Sequence, residues 1–160
     1  MTMKKIIYLA IIAMLVGTNA GYTQNQLSKQ NLHKAFEQLD YKNLSEAVHY
    51  LGLYLEEAPD DADAHLLKSL LHGHLKQYEQ ALAEANNGLN CYDGSGNYDL
   101  WQFYAGRARA YRRLGEYEKA LDDYDTAYNY VLKVSLSEAN ILLSERTKVH
   151  EEMISAASEQ

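Results

Sequence analysis

The chain has 160 residues, about the size of one ordinary domain. It is 47% hydrophobic and 23% charged, a globular balance, and its single proline leaves long helices open. A formal charge of −7 repels phosphate, so neither nucleic acid nor an anionic membrane surface is an expected partner.

Residues 1–20 read as an address. Lys4 and Lys5 form a positive start, Ile6 to Gly17 is an uncharged apolar run, and Thr18-Asn19-Ala20 places small residues where a signal peptidase looks. The run is much shorter than the roughly 20 apolar residues of a membrane span. Cleavage after Ala20 is therefore expected, leaving no stable span and an exported chain, periplasmic or secreted. A lipid anchor would need a cysteine just after the run, and the one cysteine is Cys91. Removing two lysines from the 15 basic side chains leaves 13 against 22 acidic ones, a formal charge of −9. In an oxidising compartment a lone Cys91 either joins an intermolecular disulfide or packs as a small apolar residue, and the second reading is preferred. Residues 21–27 are expected to be an unstructured lead-in.

Beyond them one spacing recurs. Leu44-x-x-Ala47-Val48-x-x-Leu51 is matched by Tyr78-x-x-Ala81-Leu82-x-x-Ala85 and by Tyr117-x-x-Ala120-Leu121-x-x-Tyr124. Ala47 and Ala81 are 34 residues apart, and Ala81 and Ala120 are 39. The five extra residues fit Asp93-Gly94-Ser95-Gly96-Asn97, a run of turn formers. An apolar stripe precedes each segment: Leu32, Ala35, Phe36 and Leu39; Leu66, Leu67, Leu70 and Leu71; Tyr104, Ala105, Ala108 and Tyr111. That is the periodicity of a helix burying one face. Asn43 with Glu46 predicts a capped helix start, and Gly115 a left-handed helix end. The pattern predicts an all-α chain of antiparallel helix–turn–helix units at 28–61, 62–95 and 101–134. Ser135-x-x-Glu138 then opens a polar capping helix over 135–160, fraying near Ser155.

A period of 34 residues carrying these side chains resembles the tetratricopeptide repeat. The third unit holds Tyr104, Ala108, Tyr111, Gly115, Tyr117, Ala120, Tyr124 and Ala127 at that family's aromatic and small positions. The second keeps Ser69, Tyr78, Ala81 and Gly88, and the first Ala35, Ala47 and Pro59. Asn31, Gln38, His65 and His72 stand where the family has aromatics. Lys34, Lys68 and Arg107 replace its usual leucine, with stems expected to pack and charges to reach water. The resemblance implies a short right-handed α-solenoid of about three units plus a capping helix. It also implies a non-catalytic scaffold that grips a protein or peptide in a concave groove lined by the first helix of each unit.

On that register the groove residues are Leu32, Phe36, Leu66 and Leu70, with Arg109, Arg112 and Arg113 beside them. Arginines spaced by three and four share a helix face and fork onto carboxylates, which points to an acidic segment as partner. The plainer alternative pairs them with Glu116, Glu118, Asp122 and Asp123. Among the tyrosines, Tyr98, Tyr128 and Tyr130 are candidates for a partner surface, the rest for core. No GxSxG, HExxH, Walker loop or CxxC occurs, and no enzyme, metal or cofactor is expected. His72-Gly73-His74 has the wrong spacing for a helical metal pair, and His65 and His72 are read as packed. Asp60, Asp61 and Asp63 are read as first-turn acids, not a calcium loop. Gly94-Ser95-Gly96 is read as a flexible loop, not a phosphate cradle. Self-association through an open repeat end is the alternative function.

Overall fold

A computed structural model describes residues 26–39 and 42–159. The expected signal segment, and residues 21–25 of the expected lead-in, lie outside them. Seven helices follow one another among the described residues: α1 over 26–39, α2 Leu44–Glu57, α3 Ala62–His74, α4 Tyr78–Cys91, α5 Leu100–Arg113, α6 Tyr117–Val131 and α7 Leu136–Ser158. Residues 26 and 27 are already helical, so α1 starts earlier than the lead-in allowed. At the other end α7 runs on to Ser158, past the fraying expected at Ser155. None of the described helices is both long and apolar enough to cross a membrane.

Each helix packs against its neighbours in the chain, and α3 also touches α5. Small side chains make the close approach within each pair. Ala47, Ala81 and Ala120, the residues that first showed the period, are all buried. Facing them from the first helices are Ala35, Ser69 and Ala108, again 34 and 39 apart and again buried. The serine is accommodated because its hydroxyl donates to the Ala81 carbonyl at 2.7 Å. One apolar cluster joins α1, α2 and α3 around Leu51 and Leu55, and another joins α5, α6 and α7 around Tyr124, Val131 and Leu142. Phe103 bridges the middle of the stack. It lies against Gly88, where a Cβ would meet the ring at 3.2 Å, and meets Tyr92 edge-on.

The turns inside the units repeat as closely. Lys42, Lys76 and Gly115 all have positive φ, at 58°, 60° and 77°. After each, the next amide reaches back five residues: Asn43 to Gln38, Gln77 to His72 and Glu116 to Tyr111. This six-to-one bond is the Schellman helix end, expected at Gly115 and present at two lysines as well. Asn43, Asp61 and Ser135 each accept a backbone N–H three residues on and so cap α2, α3 and α7. The longer link between α4 and α5 holds the extra residues. There the amide and side chain of Asn97 both donate to Asp63 Oδ2, tying the loop to α3.

The three basic residues that replace leucine do not send their charges to water as expected. Each finds a partner 16 residues on, at equivalent places in the three units. Lys34 lies over the Tyr50 ring at 5.3 Å, Lys68 pairs with Glu84 at 2.7 Å, and Arg107 forks onto Asp123 at 2.7 and 2.8 Å. Arg107 also donates to Asn86 and lies over the Tyr104 and Tyr111 rings. The stems cross the helix–helix seam, so the nearest polar surface belongs to the second helix of the same unit.

Left-handed backbone costs a residue with a Cβ roughly 1–2 kcal/mol, part of which glycine returns as unfolded-chain entropy. Lys76→Gly is therefore expected to raise stability by about 0.5 kcal/mol, and Gly115→Ala to lower it by about 1 kcal/mol. Urea midpoints of the two variants against wild type check both signs.

Candidate functional site

Between α3 and α5 a groove of about 220 Å³ opens, bounded by the starts of α4 and by α6 and α7. Its floor is shallow-sided because Gly73, Ala81, Gly106 and Ala110 carry almost no side chain. Leu70 and Tyr78 supply apolar wall, and Tyr124 lies at the bottom. Arg109, Arg112 and Arg113 stand together at one side, as their helical spacing required. Four of the seven residues singled out from sequence thus line one cavity.

The other three do not. Leu66 is only 1% exposed and fills the space beside Gly106, so it belongs to the core and has no surface for a ligand. The register placed it on the groove side, but the missing side chain at position 106 draws it inward. Leu32 packs onto the amino-terminal cluster and is half-buried. Phe36 is 50% exposed on α1 and lies outside this cavity.

The arginines are held in a way the sequence did not suggest. Arg109 forks onto Glu145 at 3.1 and 3.3 Å, and Arg112 onto Glu152 at 2.8 and 2.5 Å. Both carboxylates come from α7. Of the acids weighed as partners, Asp123 is taken by Arg107 and Glu116 by Lys119. The fork with Arg112 holds the Glu152 carboxyl below its ordinary pKa. Arg113 is exposed and has no carboxylate within ion-pair distance among the described residues. Glu145 and Glu152 were legible only as charges on a solvated helix. Their spacing of seven, which puts them on one face, was the available signal.

Tyr124 was legible as core, and it is buried, but it also lines the groove, with its hydroxyl closed to solvent and without a well-formed hydrogen bond among the described residues. Burial raises its pKa, and Glu145 lies close enough to add to this through its charge and a marginal hydrogen bond, although the two groups fall outside full hydrogen-bond geometry. Tyr130 is the most exposed of the three tyrosines weighed as partner contacts, and its ring stacks on Tyr104. Cys91 is a half-buried free thiol near the Pro59 carbonyl.

The histidines divide. His72 bonds Gln77 at the helix end, and His74 lines the groove. His65 is buried, with Nδ1 2.6 Å from Glu84 and Nε2 2.9 Å from the Pro59 carbonyl. Both partners are acceptors, so the doubly protonated ring suits the site. The hydrogen bond to Glu84 raises the His65 pKa against the opposing effect of burial. For Glu84, burial pushes upward, but hydrogen bonds from His65 and Lys68 prevail and bring it to about 2. Among the acids weighed for calcium, Asp61 instead accepts from the Ala64 amide and the Tyr54 hydroxyl.

No protein-family model matches this chain, and no curated protein resembles it in sequence. Solved structures resemble it closely in shape. The TPR2B domain of yeast Sti1, solved as its pHsp70 complex, superposes with a TM-score of 0.67 at 19% identity, covering 79% of this chain and 98% of that one. The first TPR domain of human RPAP3 gives 0.68 at 15%, covering 84% and 98%. The first TPR of Spaghetti, bound to the HSP90 peptide SRMEEVD, gives 0.65 at 16%, covering 81% and 97%. The chain has the tetratricopeptide-repeat fold, an all-α solenoid of stacked helix pairs.

Glu84 gains stability above its unfolded pKa of about 4.5 and loses it as pH falls towards 2. His65 has its pKa raised above 6.5, so its share is complete below 6.5 and is lost as pH rises through the folded value. The stability difference between wild type and Glu84→Gln is expected to peak between these limits and shrink on both sides. Urea titrations from acid to mildly alkaline pH measure it, and a flat difference would contradict the pairing.

Proposed function

We propose that this chain is an exported, non-catalytic scaffold that holds an acidic segment of another protein in the groove between α3 and α5. The observation that carries the reading is the groove itself: three arginines beside an apolar wall, one of them unpaired, on a chain whose overall charge is −7. A locally basic groove on an acidic molecule draws an acidic ligand to that groove and away from the rest of the surface. The Sti1 domain, which shares the fold, was solved as a pHsp70 complex, and the Spaghetti domain with the HSP90 peptide SRMEEVD, which is acidic. Export rests on residues 1–20, with Lys4, Lys5, the apolar run and Ala20.

Affinity capture with the carboxy-terminally tagged chain tests the reading, with Arg113→Glu as control. Arg113 is the clean position, because reversing Arg109 or Arg112 would also break their pairs with α7. Capture of an acidic partner is expected to fall about tenfold in Arg113→Glu. Equal capture by both would remove the groove from the mechanism. The recovered protein is expected to begin at Gly21, and an intact Met1 would remove export by cleavage.

One observation favours a second reading, self-association. The capping helix expected at 135–160 is polar over most of its outside but also carries exposed apolar side chains: Leu136, Leu143 and Ile154 share one face of α7, with Val134 beside its start. Large exposed apolar side chains gathered on one helix face are the feature a self-contact would use. Sedimentation of wild type and Leu143→Lys decides. A dimer lost in the variant supports this reading, and a monomer at all concentrations ends it.

A further inference from the structure

The groove has an inner subsite that the reading above does not name. The geometry points to a place for one acidic side chain of the bound segment, on Arg109 and the Tyr124 hydroxyl, where Glu145 now serves as a resident stand-in. This rests on the groove being the binding site.

Three observations lead there. The first is Tyr124. It is 0% exposed, its hydroxyl has no hydrogen-bond partner among the described residues, and it lines the cavity. A buried donor without an acceptor is costly, and a well-packed fold keeps one only where something else completes it. The second is the Arg109–Glu145 fork. At 3.1 and 3.3 Å its bonds are longer than those of Arg112 to Glu152 or Arg107 to Asp123, all at 2.8 Å or less. Charge-assisted bonds normally lie near 2.7–2.9 Å. Of the three forks at α5 this is the loosest. The Arg109 side chain is 43% exposed and that of Glu145 25%, so both partners reach water and the pair is screened. The third is charge. Arg113 stands at the same cavity without a carboxylate, so the site holds one more cation than its resident acids neutralise.

Glu145 shows what fits. A carboxylate on a two-methylene stem reaches Arg109 from a neighbouring helix, but it misses the hydrogen-bond geometry of the hydroxyl beneath. A ligand glutamate entering from the groove, with Glu145 swung out, can accept from the Arg109 guanidinium and from Tyr124 together. Arg113 then balances the added charge. A stem is needed because the hydroxyl is sunk below the surface, which favours an acidic side chain over a chain-terminal carboxylate.

The test uses the full chain and an array of amidated peptides, each with one glutamate among apolar residues, beside twins carrying glutamine. Wild type is expected to prefer a subset of glutamate peptides. Tyr124→Phe, which removes only the unpaired hydroxyl, should cut the preference for glutamate over glutamine about tenfold. Glu145→Gln should raise affinity for glutamate peptides several-fold and leave the twins unchanged. Binding with no such preference, or a preference unmoved in both variants, overturns the subsite and leaves the groove standing. Binding confined to a third set with free carboxy termini also overturns it, in favour of a chain end. No binding to any peptide sinks the groove itself.

Discussion

Everything in this stack depends on how closely two helices of one unit can approach. Ala35, Ser69 and Ala108 meet Ala47, Ala81 and Ala120 in the three units, and all six are buried. A larger side chain at either position would push the helices apart and break the register of everything beyond. Close approach lets medium-sized residues such as Leu51, Leu142 and Val131 complete most of the core, with Tyr124 and Phe103 as its largest members. It also explains why a period is visible in a sequence whose other positions vary so freely.

The same close approach sets the electrostatics. A long basic side chain leaving the first helix cannot run straight to solvent, because the second helix is in the way. It meets that helix at one place per unit, where the chain supplies Tyr50, Glu84 and Asp123. Pairing there is needed because an unpartnered charge at a half-buried seam would be destabilising. Three different partners at one equivalent position show that geometry demands an electron-rich group and is indifferent to which.

The groove follows from the same rule applied to absent side chains. Gly73, Ala81, Gly106 and Ala110 leave a hollow between two units, and Gly106 also lets Leu66 turn inward. Arg109 and Arg112 at the edge are then positioned by α7, through Glu145 and Glu152, and not by their own unit. The last helix is therefore more than a cover. One face closes the core with Ala139, Leu142 and Val149, another reaches the arginines, and the rest is open, with Leu136, Leu143 and Ile154 standing among polar residues.

The sequence by itself determined the helices, their pairing and the turns between them. These depend on contacts inside one helix pair, such as Ser69 with Ala81 twelve positions on, and local periodicity, Asn43, Gly115 and the small residues record them directly. It also brought Arg109, Arg112 and Arg113 to one face, since that needs only helical spacing. Only the tertiary structure decided who meets those arginines, whether Leu66 faces in or out, and that the Tyr124 hydroxyl is buried beside Glu145 with no partner. Those outcomes join residues more than twenty positions apart across different units. They depend on the angle at which helices cross and on volumes left empty by glycine and alanine, which no single segment encodes.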